Sequence, residues 1–179
     1  EAAPDFTTPD GEHGLTETGF AFLTEMERLG MIVDVSHLSD AGFWDVARTA
    51  NKPFVASHSN ARAVCGHVRN LGDDMIRALA EKGGVTGLNF CPSFLEEERK
   101  EGESRGSLDA IVTHARHIVN MGGEDCLGLG SDFDGIPTNA AIPDAAHLPH
   151  LADALKKAGF SECQIDKIFC ENVLRVYRE

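Results

Sequence analysis

Apolar and polar positions recur along this chain in one unit: an amphipathic stretch with helical spacing, a short apolar run, and a polar turn. The first stretch, LTETGFAFLTEMERLG, carries Phe20, Leu23, Met26 and Leu29 on one stripe, with Thr16 placed as N-cap and Gly30 as stop. An apolar run at 31–36 follows, and Ser39 or Asp40 then opens a helix through Trp44, Ala47 and Arg48. Pro53 starts a second run at 54–57, where its missing N–H is tolerable. A helix is predicted over 71–82, with Asp73 and Asp74 in its first turn and Gly83 and Gly84 after its end. A third run spans 85–90, Ser107 caps a helix through Ile111 and Ile118, and a fourth run covers 126–131. Two helices over 148–157 and 161–169 and a closing segment over 171–177 complete the pattern, with Ser161 and Gln164 spaced as a capping box. Residues 1–14 read as an extended lead-in, 95–106 as a charged solvated excursion, and 137–149 as an irregular loop with three prolines.

Helix and apolar run thus alternate four times, which predicts an α/β fold with a parallel sheet. Four units are half of a (β/α)8 TIM-type barrel, and 179 residues fall short of the roughly 250 that a complete one takes. Because the pattern begins with a helix that ordinarily follows a strand, the expectation is a single partial domain over 1–179, the C-terminal portion of such a barrel with about four β/α units. Strand ends on one face are where an α/β fold does its chemistry. His37, His58 and Asp132 all stand at such ends, in DVSHLSD, ASHSNAR and GSDFDG. Two imidazoles and a carboxylate there are candidates for metal binding or acid/base work.

Other residues are less committed. Asp34 interrupts a run that ought to be continuously apolar if buried on both faces. It either supports His37 or another side chain, or makes an ion pair with no catalytic consequence. Arg62, His67 and Arg69 are candidates for substrate contact. His13 reads as a loop residue, and His114 and His117, three apart on a helix outside the sheet, read as structural or surface residues.

Composition narrows the classes. A net charge of -13 opposes nucleic-acid and anionic-membrane surfaces and predicts a soluble chain. No window is long and apolar enough for a transmembrane span, and the start lacks the parts of a signal peptide. Cellular location is left open, cytoplasmic or secreted. Five cysteines without a CxxC pair do not make a disulfide scaffold, and Cys126 reads as a small buried apolar residue.

Taken together and in order, GMIVDVSHLSD, ASHSNARAVCGHVRN and GLGSDFDG resemble the zinc-dependent membrane dipeptidase family, also called renal dipeptidases. The resemblance extends into LTETGFAFLTEMERLG and ENVLRVYRE and so covers nearly the whole chain. It implies a (β/α)8 metallopeptidase with two zinc ions that hydrolyses dipeptides, in several members as a homodimer. His37 and His58 match two histidines binding one zinc, Arg69 an arginine engaging the substrate carboxylate, and Asp132 the aspartate that handles the proton. The family's early His-x-Asp motif, its metal-bridging glutamate and a further substrate histidine have no matching positions in 1–179; His13, followed by Gly14 and Leu15, does not supply the motif. The expectation is therefore an isolated chain without activity, unless a companion N-terminal segment supplies the other half. A related metal-dependent amidohydrolase or lactonase, and a degenerate noncatalytic domain, are the alternatives.

Overall fold

The structure, a computed structural model, describes residues 2–3, 13–97 and 106–179. Three short parallel strands, β1 (Val55–Ala56), β2 (Val85–Leu88) and β3 (Leu127–Leu129), lie side by side in chain order. Val55 stands opposite Val85, and Gly87 opposite Gly128. The run at 31–36 contributes one parallel bridge, Asp34 against Val55, rather than a full strand. It is held by Val35 N–H to the Val55 carbonyl at 2.8 Å and Val55 N–H to that of Val33 at 2.9 Å. The strands are shorter than the apolar runs because side chains take over where the ladder stops. Asp34 Oδ1 accepts the Ser57 N–H and Ser36 Oγ accepts that of His58.

The helices start where the capping residues place them. Thr16, Ser39 and Ser107 accept the N–H of Gly19, Gly42 and Ala110 and so begin α1 (Glu17–Arg28), α2 (Asp40–Thr49) and α5 (Leu108–Gly122). α3 (Asp73–Glu81) begins two residues later than predicted, with Gly72 as cap and both aspartates in its first turn. A single helical turn, α4 (Pro92–Leu95), follows β2 and was not legible in the pattern. It corrects the reading of 95 onward as wholly solvated, because Leu95 is fully buried. Glu96 accepts the N–H of Gly106 and Ser107, which ties the far end of the excursion back. The rest of that excursion, 98–105, and all of the lead-in except 2–3 and 13–14 lie outside the described residues.

The proline loop is also more ordered in its contacts than its composition suggested. Asn139 donates to the Phe90 carbonyl at 2.8 Å, and Ile142 is fully buried. Pro149 belongs to the first turn of α6 (Leu148–Lys157). Ser161 and Gln164 form the capping box of α7 (Glu162–Asp166). A π-helical turn at Lys167–Glu171 then leads without a break into α8 (Asn172–Arg178).

One face of the sheet is covered by α2, α3 and α5. Phe43 meets Phe54 edge-on at 5.7 Å, and Ile76, Leu79, Ile111 and Ile118 are fully buried with Leu88 and Leu127. Each such side chain contributes about 1.5–3 kcal/mol on burial. On the other face Val55, Val85 and Leu129 line a groove with Val173, Val176 and Tyr177 of α8. Among the described residues, no helix is long and apolar enough to cross a membrane.

Candidate metal centre

The four residues singled out from the sequence gather at the C-terminal end of the strands. Leu38 N–H closes a turn onto the Val35 carbonyl at 3.0 Å, which throws His37 off the end of its run. His58 leaves β1 at the same level. The two Nε2 atoms face each other at 2.9 Å, with ring centroids 4.9 Å apart. Metal–imidazole bonds of about 2.0–2.1 Å would let nitrogens so spaced share one ion at an angle of roughly 90°, and a few tenths of an ångström of opening reaches the tetrahedral value. The pair therefore fits as half of a zinc shell. Among the described residues no group of three or more His, Cys, Asp or Glu forms a metal cluster.

Arg69, almost fully buried, reaches the same point from the loop after β1. Its guanidinium hydrogen-bonds the Ser36 carbonyl, lies 3.4 Å from His37 Nε2 and rests over the Phe94 ring at 5.6 Å. Burial lowers its pKa, and the carboxylates of Asp132 and Asp34 work against that shift. A guanidinium stays charged throughout.

Asp132 ends the fourth run with a left-handed backbone (φ 65°), a conformation that Asp tolerates better than most residues. Its carbonyl accepts the Gly135 N–H at 3.0 Å, so the chain turns sharply and Asp134 does not continue a strand beside it. The Asp132 carboxylate accepts from Asn89 Nδ2 at 3.0 Å, and the same amide reaches the His58 carbonyl at 3.3 Å. Asn89 thus links the ends of the first and third strands, and it is itself fixed by a reciprocal pair of bonds with Asn60, each 2.9 Å.

His58 is held from behind. Its Nδ1 lies 2.7 Å from Ser57 Oγ, which lies 2.5 Å from Asp34 Oδ2. Burial and the nearby guanidinium of Arg69 lower the His58 pKa, with Asp132 and Asp34 partly opposing, which favours the neutral imidazole a metal requires. Burial also raises the Asp34 pKa, but hydrogen bonds from Ser57 and Ser36 outweigh it and the net shift is downward. Asp34 makes its side-chain contact with Ser57 rather than with His37, and Ser57 in turn meets His58.

Other candidates resolve differently. Arg62 makes a two-pronged ion pair with Asp40 at 2.6 and 2.8 Å. His67 stacks on Phe94 at 4.4 Å and accepts the Arg69 N–H at 3.2 Å, so it shapes the arginine's surroundings. His13 is exposed. His114 is fully buried: its Nδ1 accepts from Ala61 N–H at 3.1 Å and its Nε2 meets the Leu95 carbonyl at 3.0 Å. His117 pairs with Asp73 at 2.7 Å. Cys126 is buried, and burial pushes its thiol pKa up to about 11. The sequence pattern does not single out Ser57 or Asn89, although Asn89 directly follows β2 and meets Asp132.

Residues 2–179 match the family described as Membrane dipeptidase (Peptidase family M19). The chain is 41% identical over 171 residues to an uncharacterized protein in the pqqA 5' region of Klebsiella pneumoniae, covering 96% of this chain and 63% of that protein. It is 36% identical to dipeptidase tcpJ of Claviceps purpurea, covering 93% of this chain and 39% of the relative. In structure it is similar to a metallo peptidase from Rhodobacter sphaeroides crystallised with a phosphinate mimic of the dipeptide L-Ala-D-Ala. The TM-score there is 0.83 at 40% identity, over 92% of this chain and 47% of that one. The chain therefore spans between about two-fifths and two-thirds of the length of these relatives.

Proposed function

Since the chain belongs to the membrane dipeptidase family, peptidase family M19, we propose that the complete protein is a zinc-dependent dipeptidase, of which these 179 residues form four β/α units at the C-terminal end of a (β/α)8 barrel. The observation that carries this reading is the convergence of the His37 and His58 Nε2 atoms at 2.9 Å beside the Arg69 guanidinium. Such a constellation holds one metal ion and one carboxylate side by side.

In this reading His37 and His58 hold one of two zinc ions, which when bound supply an acidified water and polarise the scissile carbonyl. Arg69 binds the free carboxylate of the dipeptide through its planar fork, and because that contact is satisfied by a chain terminus it favours short substrates. Asp132 takes the proton of the attacking water and returns it to the departing amine, so that one carboxylate serves both steps without net change. Asn89, donating to Asp132 Oδ2, would fix the orientation of that carboxylate. The remaining metal ligands would come from a companion N-terminal segment, and the isolated chain would be inactive.

Zinc content and dipeptide hydrolysis, measured on one preparation of the complete protein with its intact mass determined, test this. Two zinc equivalents and turnover are expected. His37→Ala and His58→Ala should each cost close to one equivalent and nearly all turnover, and Arg69→Ala should raise KM far more than it lowers kcat. Two zinc ions and robust turnover in the isolated chain would overturn the ligand assignment. A lactone hydrolysed in preference to dipeptides would overturn the substrate class.

A further inference from the structure

We infer that Asp34, acting through the Ser57 hydroxyl, fixes His58 as its Nδ1–H tautomer and so leaves the Nε2 lone pair facing His37. The consequence for metal affinity rests on the proposed role of His58; the tautomer itself does not.

Each proton along this short chain of atoms has one place to go. Asp34 Oδ1 accepts the N–H of Ser36 at 3.1 Å and of Ser57 at 3.0 Å, and Oδ2 lies 2.5 Å from Ser57 Oγ. A carboxylate that gathers three donors is in its acceptor-only form. The single Ser57 hydroxyl proton is therefore committed to Asp34. Ser57 Oγ meets His58 Nδ1 at 2.7 Å with only lone pairs left to offer, so the proton between them belongs to Nδ1. Of the two nitrogens of a neutral imidazole, the hydrogen bond at one decides the state of the other. Nε2 is thereby the unprotonated atom, and without metal it accepts from His37 Nε2, 2.9 Å away. The Ser36 hydroxyl, 3.5 Å from Ser57 Oγ and accepting the His58 N–H at 3.0 Å, fits as a second donor toward Ser57 and does not disturb the count. Asp34 and Ser57 are positioning residues. They hold the lone pair and the ring direction of His58 and touch neither substrate nor metal.

The test uses the complete protein, stripped of metal by a chelator and labelled with 15N at histidine. Long-range 1H–15N correlation reads the tautomer of each ring, and the His58 pattern is identified by its loss in His58→Gln. The expected wild-type pattern is a protonated Nδ1 and an unprotonated Nε2. Ser57→Ala and Asp34→Ala should convert it to a mixture or to the opposite tautomer, whereas Ser57→Thr, which keeps the hydroxyl, should retain it. Zinc affinity by competition with a chromogenic chelator should fall roughly 10- to 100-fold in the two alanine variants, the usual effect of removing a ligand's hydrogen-bond partner, and stay within a few-fold of wild type in Ser57→Thr. A protonated Nε2 in the wild type, or an unchanged pattern in Ser57→Ala, would overturn the inference, and the wild-type spectrum alone decides it should a variant not fold. If the tautomer responds as described while His58→Gln leaves zinc affinity unchanged, the inference stands and His58 is not a ligand.

Discussion

His114 shows how much a single side chain at the back of the site controls. Both of its nitrogens are used in the neutral state, one accepting from Ala61, three residues beyond His58, and the other meeting Leu95. Burial lowers its pKa from 6.5 to about 4. The unfolded chain thus binds the proton more tightly, and the stability His114 contributes is complete above about pH 6.5, declines as the pH falls from there to about 4, and changes no further below. The shift is worth about 3 kcal/mol across that window. Urea unfolding between pH 4 and 7 should show the slope, and His114→Asn should remove it; equal slopes in both proteins would refute the assignment. Asn89 offers a second test at this scale. Without its amide, Asp132 loses a hydrogen-bond donor, and in the complete protein, read as the proposed dipeptidase, Asn89→Ala should lower kcat by up to about 100-fold with a smaller change in KM. The sequence offered His37, His58 and Asp132, because a strand-end position is visible in a pattern, and Arg69 through the polar stretch after the second run and the family resemblance. It did not offer Ser57, Asn89 or the role of His114, because a polar residue beside an apolar run reads alike whether it faces water or a partner 40 positions away.

Among the elements, the three strands are placed by how closely their backbones approach beneath His58. A Cβ added to Gly87 or to Gly130 would stand 2.1 Å from the Ser57 carbonyl oxygen, and the one on Gly130 would also meet the His58 Cα at 2.9 Å. Neither obstacle is a side chain that can swing away, so the strands themselves must part. Gly87→Ala and Gly130→Ala should each destabilise the protein by about 1–3 kcal/mol, as overpacking does, and should also weaken zinc binding, because the strand that parts carries a proposed ligand. Thermal unfolding and metal titration on the same variants check both; a stability loss with unaltered zinc affinity would separate the packing from the site. By contrast Ser161→Ala, removing a capping box far from the site, should cost about 1 kcal/mol and leave zinc affinity unchanged. Helix starts were legible to within two residues because capping is local chemistry. Strand lengths, α4 and the π-helical turn were not, since each depends on which distant groups compete for the backbone's hydrogen bonds.

For the molecule as a whole, the proposed metal couples to folding. The paired imidazoles are brought together only by the folded strands, so zinc binds the native state and raises its stability, by about 2.7 kcal/mol when free zinc is 100 times its Kd. Chelation of the complete protein should lower Tm, readdition of zinc should restore it, and His58→Gln should blunt the response; a Tm indifferent to zinc would argue against a metal at this site. The order of helices and apolar runs, the caps, the acidic surface and the identity of the strand-end residues were determined by the sequence itself, since each follows from local spacing and side-chain chemistry. Only the tertiary structure decided that Nε2 of His37 meets Nε2 of His58, that Asp34 serves His58 through Ser57, and that Arg69 lies buried against Phe94. Those contacts bring together residues 21 to 25 positions apart, and they are fixed by strand register and backbone approach, which a linear pattern does not carry.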